Sequence, residues 1–213
     1  MKTIQAIKAY TQIYGEINGQ DILNKIERCG RVCYKSEGKI EKGSAEKFVA
    51  GIIKRGHEAV LEHVSVTVKF VVDRGVSHEI VRHRIASYCQ ESTRYCNYSK
   101  DDFGSEITCI IPEYLDYKSA GWETWKDAMK ACEEAYFKLL DLGLTPQEAR
   151  AVLPNSLKTE VVMTANLREW RTFFKLRCAN EAHPQMREIT RPLLEDFKNL
   201  IPVVFDDITY KRK

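Results

Sequence analysis

Thirteen consecutive residues carry the densest polar chemistry of the chain: Arg82-His83-Arg84-Ile85-Ala86-Ser87-Tyr88-Cys89-Gln90-Glu91-Ser92-Thr93-Arg94. Hydroxyl, amide and guanidinium donors packed this closely are the inventory needed to hold a phosphate. A second set lies downstream at Asn166, Arg168 and Arg177, with Arg150 before it. On a helical period of about 3.6 residues, Asn166, Trp170, Phe173 and Arg177 share one face. Arg177 then either snorkels from a core edge or lines a pocket. Ser87 and Ser92 sit near His83, but there is no G-x-S-x-G elbow, and spacing alone does not assemble a Ser-His-Asp array. Cys89, among arginines, has the surroundings of a low-pKa thiol. Neither G-x-G-x-x-G nor a Walker loop occurs, so any nucleotide must be held by side chains and helix ends.

The charge distribution sharpens this. Net charge is only +3, which argues against a broad nucleic-acid or membrane surface. Yet residues 74–98 and 150–191 together hold ten of the fourteen arginines and two of the nineteen lysines. Lysine is an adequate solubilising charge. Arginine is the residue for bidentate pairing with phosphate, carboxylate or a planar anionic ring. The segregation points to recognition of a small anion. Two other readings use the same residues. A nucleotide- or RNA-binding module would stack bases on Tyr88, Tyr95 and Tyr98, and a metal-dependent hydrolase would use His57, His63, His78 and His83. The second lacks any paired Asp/Glu motif. The seven cysteines are odd in number and form no CxxC, so they read as reduced thiols in core positions, and no metal site is expected.

The elements that must position these groups follow from pattern. Asp21 can cap a helix with Leu23, Ile26, Cys29 and Cys33 on one face, and Ser44 can start another that Gly56 ends. Val64, Val66, Val68 and Phe70 alternate with polar residues as a half-buried strand. Asp73-Arg74-Gly75 reads as a turn, residues 76–86 as a helix and 87–106 as polar loop. A long helix spans Ser119 to Leu142, its stripe of Trp122, Trp125, Met129, Cys132, Tyr136 and Leu139 serving as core or subunit interface. Thr145-Pro146-Gln147-Glu148 is a capping box with proline at the first helical position. Residues 157–165 alternate as a second strand. Asn166 caps a helix to about Arg177, and a last helix runs from Pro184 to about Leu200 across Pro192. With 213 residues, 44% of them hydrophobic, and with neither repeat nor linker, the expectation is one α+β domain, 1–213, its mostly antiparallel central sheet flanked by helices. No apolar run is long enough to span a membrane, and Met1-Lys-Thr-Ile-Gln-Ala lacks a signal peptide's apolar stretch, so a soluble cytoplasmic protein is expected.

Arg82-His83-Arg84-x-x-Ser87-x-x-x-x-Ser92-x-Arg94 resembles the signature of flavin-dependent thymidylate synthases, R-H-R-x(2)-S-x-N-x(2)-S-x-R, at six of its seven fixed positions. The likeness extends through Gly56-His57-Glu58 to Glu62-His63, Ala149-Arg150 to Leu153-Pro154, Asn166-Leu167-Arg168, and Phe173 to Arg177. It implies that family's fold and a homotetramer binding FAD at subunit interfaces. It also implies conversion of dUMP to dTMP with methylenetetrahydrofolate and NADPH, with no nucleic-acid polymer or membrane as partner. By this resemblance His57, Arg82, His83, Arg84, Asn166 and Arg168 contact the flavin, with Gln90, Leu167 and Thr172 in the same set. Ser92, Arg94, Arg150 and Arg177 bind dUMP, with Glu79, Arg82, Gln90, Glu91 and Thr93 lining that region. Arg177 is the candidate catalytic residue: a guanidinium that stays protonated can stabilise an enolate-like uracil while density builds at C5. Reduced flavin supplies the reducing equivalents, so no cysteine nucleophile is required and Ser92 reads as a positioning donor. Cys89 stands where the signature has Asn, Ala59 where Ser is common, and Thr172 where Asn or His is common. Gln90 and Glu79 exchange the family's frequent Glu and Gln.

Overall fold

A computed structural model describes residues 4–99 and 106–211. Strands β1 (Gln5–Ile7) and β2 (Tyr10–Tyr14) precede helices α1 (Gly19–Val32) and α2 (Ser44–Lys54). A 3-10 segment (Glu58–His63) leads into β3 (Ser65–Asp73), α3 (Arg74–Ile80), β4 (Ala86–Gln90) and β5 (Thr108–Ile110). Then come α4 (Ala120–Asp141), α5 (Pro146–Ala149), β6 (Lys158–Asn166), α6 (Leu167–Arg177) and α7 (Pro184–Leu200). The architecture is α+β, with an antiparallel sheet of order β2-β3-β6-β4 and helices beside it. A small parallel pair joins β1 to β5, Gln5 opposite Thr108. The antiparallel sense of β3 and β6 shows in their partners: Leu167 N–H donates to the Val64 carbonyl, and Thr67 and Thr164 hydroxyls meet at 2.8 Å. Position rises along one strand as it falls along the other.

The chain divides into two compact units. The first comprises Met1–Tyr10, Lys69–Arg82 and Tyr88–Val162. Its core gathers Tyr98, Ile107, Cys109, Met129, Tyr136, Ala149 and Leu157, so the α4 stripe contributes Met129 and Tyr136 to a buried cluster. Trp125 packs against that cluster and donates its indole N–H to Ser156 at 3.1 Å, while Trp122 stacks on it at 5.1 Å. The second comprises Thr11–Val68, His83–Ser87 and Met163–Lys213. There Trp170, Phe173, Phe174, Phe197 and Phe205, all fully buried, meet mostly edge to face at 5.0–5.7 Å. Such ring geometry is favoured beyond the area it buries. α1 packs on α2 where Gly30 lies under the Phe48 ring, and a Cβ there would come within 2.6 Å of that ring.

Most elements form where the pattern places them, and the capping box is present, with Glu148 accepting from the Thr145 N–H at 2.8 Å. Four expectations need correction. The α1 cap is Asn18, whose side chain accepts from Asp21 N–H; Asp21 lies inside the first turn, where its charge favours the helix N-terminus. Asp73-Arg74-Gly75 is no mere turn: Asp73 ends β3 and caps α3, accepting from Val76 N–H at 2.7 Å. The helix expected over 76–86 stops at Ile80, and Ala86–Gln90, expected as that helix's end and the start of the loop, is a strand; residues 100–105 of that loop lie outside the described residues. Pairing beside β6 makes this strand, and Glu91 N–H just past its end donates to the Glu160 carbonyl at 2.9 Å; Tyr88 Oη ties it back to the end of α3 through the Ile80 carbonyl at 3.0 Å. Finally, only Cys109 and Cys178 of the seven free cysteines are buried, and Cys33 and Cys89 are exposed.

Candidate functional site

The candidate residues form two groups, one within each unit. In the first unit, α3 and β4 set the polar cluster. Gln90 donates its amide to Ser77 Oγ at 3.1 Å and more weakly to Thr159 Oγ1 at 3.4 Å, so β4 and α3 are tied two residues before Glu79. Glu91 is anchored from two sides, accepting from Tyr98 Oη and from Lys158 Nζ, each at 3.1 Å. Burial first, and then this carboxylate, raise the Tyr98 pKa above that of an ordinary phenol. Glu91 thus serves the loop's structure while Ser92, Thr93 and Arg94 present the donors. Ser92 Oγ accepts the Arg94 N–H at 3.3 Å, and its carbonyl accepts from Tyr95 and Cys96, closing a turn. Thr93 is buried and accepts from Arg150 Nη1 at 3.2 Å, which brings the guanidinium delivered by α5 to this turn. Arg94 is exposed, over the Tyr95 ring at 5.4 Å. A serine hydroxyl and the Arg94 guanidinium on one tight turn, with the Arg150 guanidinium bonded to that turn at Thr93, suit a phosphate monoester. Arg82, which ends this segment, is exposed.

In the second unit, β6 hands directly into α6, and Asn166 at the junction caps the helix by accepting the Glu169 N–H at 2.9 Å. The cap uses Oδ1, so the amide nitrogen is the group with which Asn166 can donate to a ligand carbonyl. Leu167 is fully buried with its N–H bound to Val64, and acts from the core beneath the helix start. Arg168 is exposed and paired with Glu62 at 2.6 Å. Thr172 is exposed and donates to the Arg168 carbonyl at 3.3 Å. His57, at the start of the 3-10 segment, is exposed, as is Arg84.

His83 and Arg177 are brought together. His83 is buried, 6% exposed, between the exposed Arg82 and Arg84. Its Nδ1 lies 2.9 Å from Glu169 Oε1, and Arg177 Nε donates to its Nε2 at 3.1 Å. The ring stands edge-on to Phe173 at 4.9 Å. Burial lowers the His83 pKa below the ordinary histidine value; the Glu169 hydrogen bond opposes this and the Arg177 charge reinforces it. Pattern alone missed Glu169, which reads as a helix-start residue. The signal was its spacing: 169, 173 and 177 are four apart and fall on one helical face.

The family profile described as thymidylate synthase complementing protein matches residues 17–203. A flavin-dependent thymidylate synthase of Geobacter sulfurreducens is 36% identical over 184 residues, covering 83% of this chain and 78% of the relative. That of Pyrococcus horikoshii is 38% identical over 170 residues, covering 78% and 69%. Among solved structures, the UMP/dUMP methylase PolB from Streptomyces cacaoi bound with 5-Br dUMP superposes with a TM-score of 0.77 at 21% identity, covering 95% of this chain and 96% of that one. This last likeness concerns the fold.

Proposed function

Since the chain belongs to the flavin-dependent thymidylate synthase family, we propose that it methylates dUMP reductively to dTMP, with methylenetetrahydrofolate as carbon donor, NADPH as reductant and FAD as cofactor. The observation that carries this reading is the hold of His83 on Arg177. The signature's central histidine accepts, at Nε2, the Nε–H of Arg177, the guanidinium that we assign to the uracil, and so orients it.

The residues present suit the cofactor. A cavity of about 620 Å³ in the second unit is walled by Tyr34, Phe48, Ile52 and Val60, with Arg31, Arg55 and His57 at its edge. Apolar walls suit a fused ring system and guanidinium groups suit a pyrophosphate. We assign flavin binding to His57, Arg82, His83, Arg84, Gln90, Asn166, Leu167, Arg168 and Thr172; of these only His57 lines that cavity, and the others rest on the family resemblance. When bound, the flavin supplies the two electrons of the reduction.

The chain's own residues do the rest. Ser92, Arg94 and Arg150 hold the dUMP phosphate, Thr93 fixes Arg150, and Glu79, Arg82, Gln90 and Glu91 line the region. Arg177 stabilises negative charge on the uracil edge while C5 acts as the nucleophile, a preorganised donor worth more away from bulk water. Residues 1–213 act as one catalytic domain, assembled as a cytoplasmic homotetramer with sites at subunit interfaces and no polymeric nucleic acid as substrate. No helix among the described residues is long and apolar enough to cross a membrane.

The test is dTMP formation by purified protein with added FAD, dUMP, methylenetetrahydrofolate and NADPH. Product that requires all four supports the reading. A colourless protein that takes up no FAD and forms no product overturns it.

A further inference from the structure

Glu169, Phe173 and Arg177 sit at i, i+4 and i+8 of α6, so their side chains line one stripe spanning about 12 Å of helix. The His83 ring lies on the middle of that stripe, edge-on to Phe173, and bridges its two ends. The hydrogen-bond chemistry allows one assignment. Arg177 Nε always carries a proton and donates it, so His83 Nε2 must be a bare lone pair. The proton then resides on Nδ1, aimed at the Glu169 carboxylate. His83 in this chain is the neutral Nδ1–H tautomer, and Glu169, 9% exposed at the first turn of α6, is what holds it so.

The geometry points to Glu169 as a positioning residue that orients the Arg177 guanidinium through the tautomer of His83. Glu169 itself touches no substrate. This rests on the reading of Arg177 as the group that stabilises the uracil anion. Removing the carboxylate strands the buried Nδ1–H, and the ring relieves that by turning or by moving its proton to Nε2. Either change sets an N–H against the Arg177 N–H, or removes the acceptor, and Arg177 loses its fixed plane. The phosphate donors Ser92, Arg94 and Arg150 are unaffected, so substrate capture survives while the chemical step suffers.

The experiment compares Glu169→Leu and Glu169→Gln with the wild-type holoenzyme, measuring kcat and dUMP KM for dTMP formation, flavin content, and the imidazole nitrogen shifts of 15N-histidine-labelled protein. Wild type should show His83 protonated at Nδ1 alone. Glu169→Leu should keep its flavin and its KM within about threefold, yet lose about ten- to hundredfold in kcat, the range set by stranding one buried polar group. Glu169→Gln, which retains an acceptor oxygen, should recover part of that loss. A Glu169→Leu enzyme with wild-type kcat overturns the proposal, as does a wild-type His83 carrying its proton on Nε2. Should Glu169→Leu fail to fold, the wild-type tautomer and Glu169→Gln decide: a doubly protonated or Nε2–H ring, or a Glu169→Gln enzyme with wild-type kcat, overturns the relay, and the Nδ1–H ring with a lowered kcat in Glu169→Gln supports it. Arg177→Ala separates the two readings. If it is inactive while Glu169→Leu is not, only the positioning role fails; if it is fully active, the role of Arg177 fails.

Discussion

Arg171 offers a stability prediction whose size can be worked from its surroundings. Its side chain is 1% exposed on α6, the helix that also carries Trp170, Phe173 and Phe174. Nη2 pairs with Glu58 Oε1 at 3.0 Å and with Asp207 Oδ2 at 2.7 Å, and Nη1 reaches Asp207 Oδ1 and the Val204 carbonyl. One guanidinium thus ties the 3-10 segment at Glu58 and the C-terminal stretch at 204–207 to the same helix. Removing one partner of a buried ion pair costs about 3–5 kcal/mol. Arg171→Met keeps most of the apolar stem, and both carboxylates reach water, with 19% and 48% of their side chains exposed, so the lower end applies. About 3 kcal/mol corresponds to a fall in Tm of about 6–12 °C for a chain of this length. The pH dependence has a definite sign. Hydrogen bonds from Arg171 hold the Asp207 carboxyl below its ordinary pKa. A depressed carboxyl contributes stability above its unfolded value and loses it as pH falls through the folded one. The gap between wild type and Arg171→Met should therefore be full at pH 7 and shrink below about pH 4, near the unfolded aspartate value. Calorimetry or circular dichroism melts at pH 7, 5 and 3.5 would measure it. A Tm within about 2 °C of wild type at pH 7, or a gap that widens on acidification, would refute the reasoning.

Three further outcomes follow. Arg177→Ala should keep its flavin and lose about 10²–10³ in kcat for dTMP formation, the scale of one lost oxyanion donor; flavin absorbance and turnover check it, and retained activity removes Arg177 from the mechanism. At Gly19, the first residue of α1, an added Cβ would land on the Leu200 carbonyl oxygen, backbone that cannot swing aside. Gly19→Ala should destabilise by about 1–3 kcal/mol, read as a lower urea midpoint, although alanine is the better helix former. Burial pushes the Cys109 thiol up to about 12 and the Cys178 thiol up to about 11, whereas Cys33 and Cys89 are exposed. Iodoacetamide at pH 8 followed by peptide mass mapping should find Cys33 and Cys89 labelled and Cys109 and Cys178 protected; modification of either buried thiol in native protein would contradict the packing.

What was legible in the chain alone was whatever rests on short-range periodicity or on a contiguous motif. The β6 alternation, the Asn166 start of α6, the Thr145 capping box and the long α4 stripe are local patterns, and each forms as read. The thirteen-residue Arg-His-Arg segment named a family because its residues are adjacent. The short strands β1, β2 and β5 carry three to five residues each, too few for alternation to stand out, and β4 reads as polar loop because it is made by its neighbour β6. Glu169 reads from the sequence only as a helix-start residue and Arg171 belongs to no motif, yet both are buried. Their meaning lies in partners 86 and 113 residues away, His83 and Glu58. A charge becomes a relay or a clamp only when folding removes water and sets its counterpart at hydrogen-bond distance. That pairing depends on chain closure over long separations, which tertiary structure decides and residue type and spacing do not encode locally.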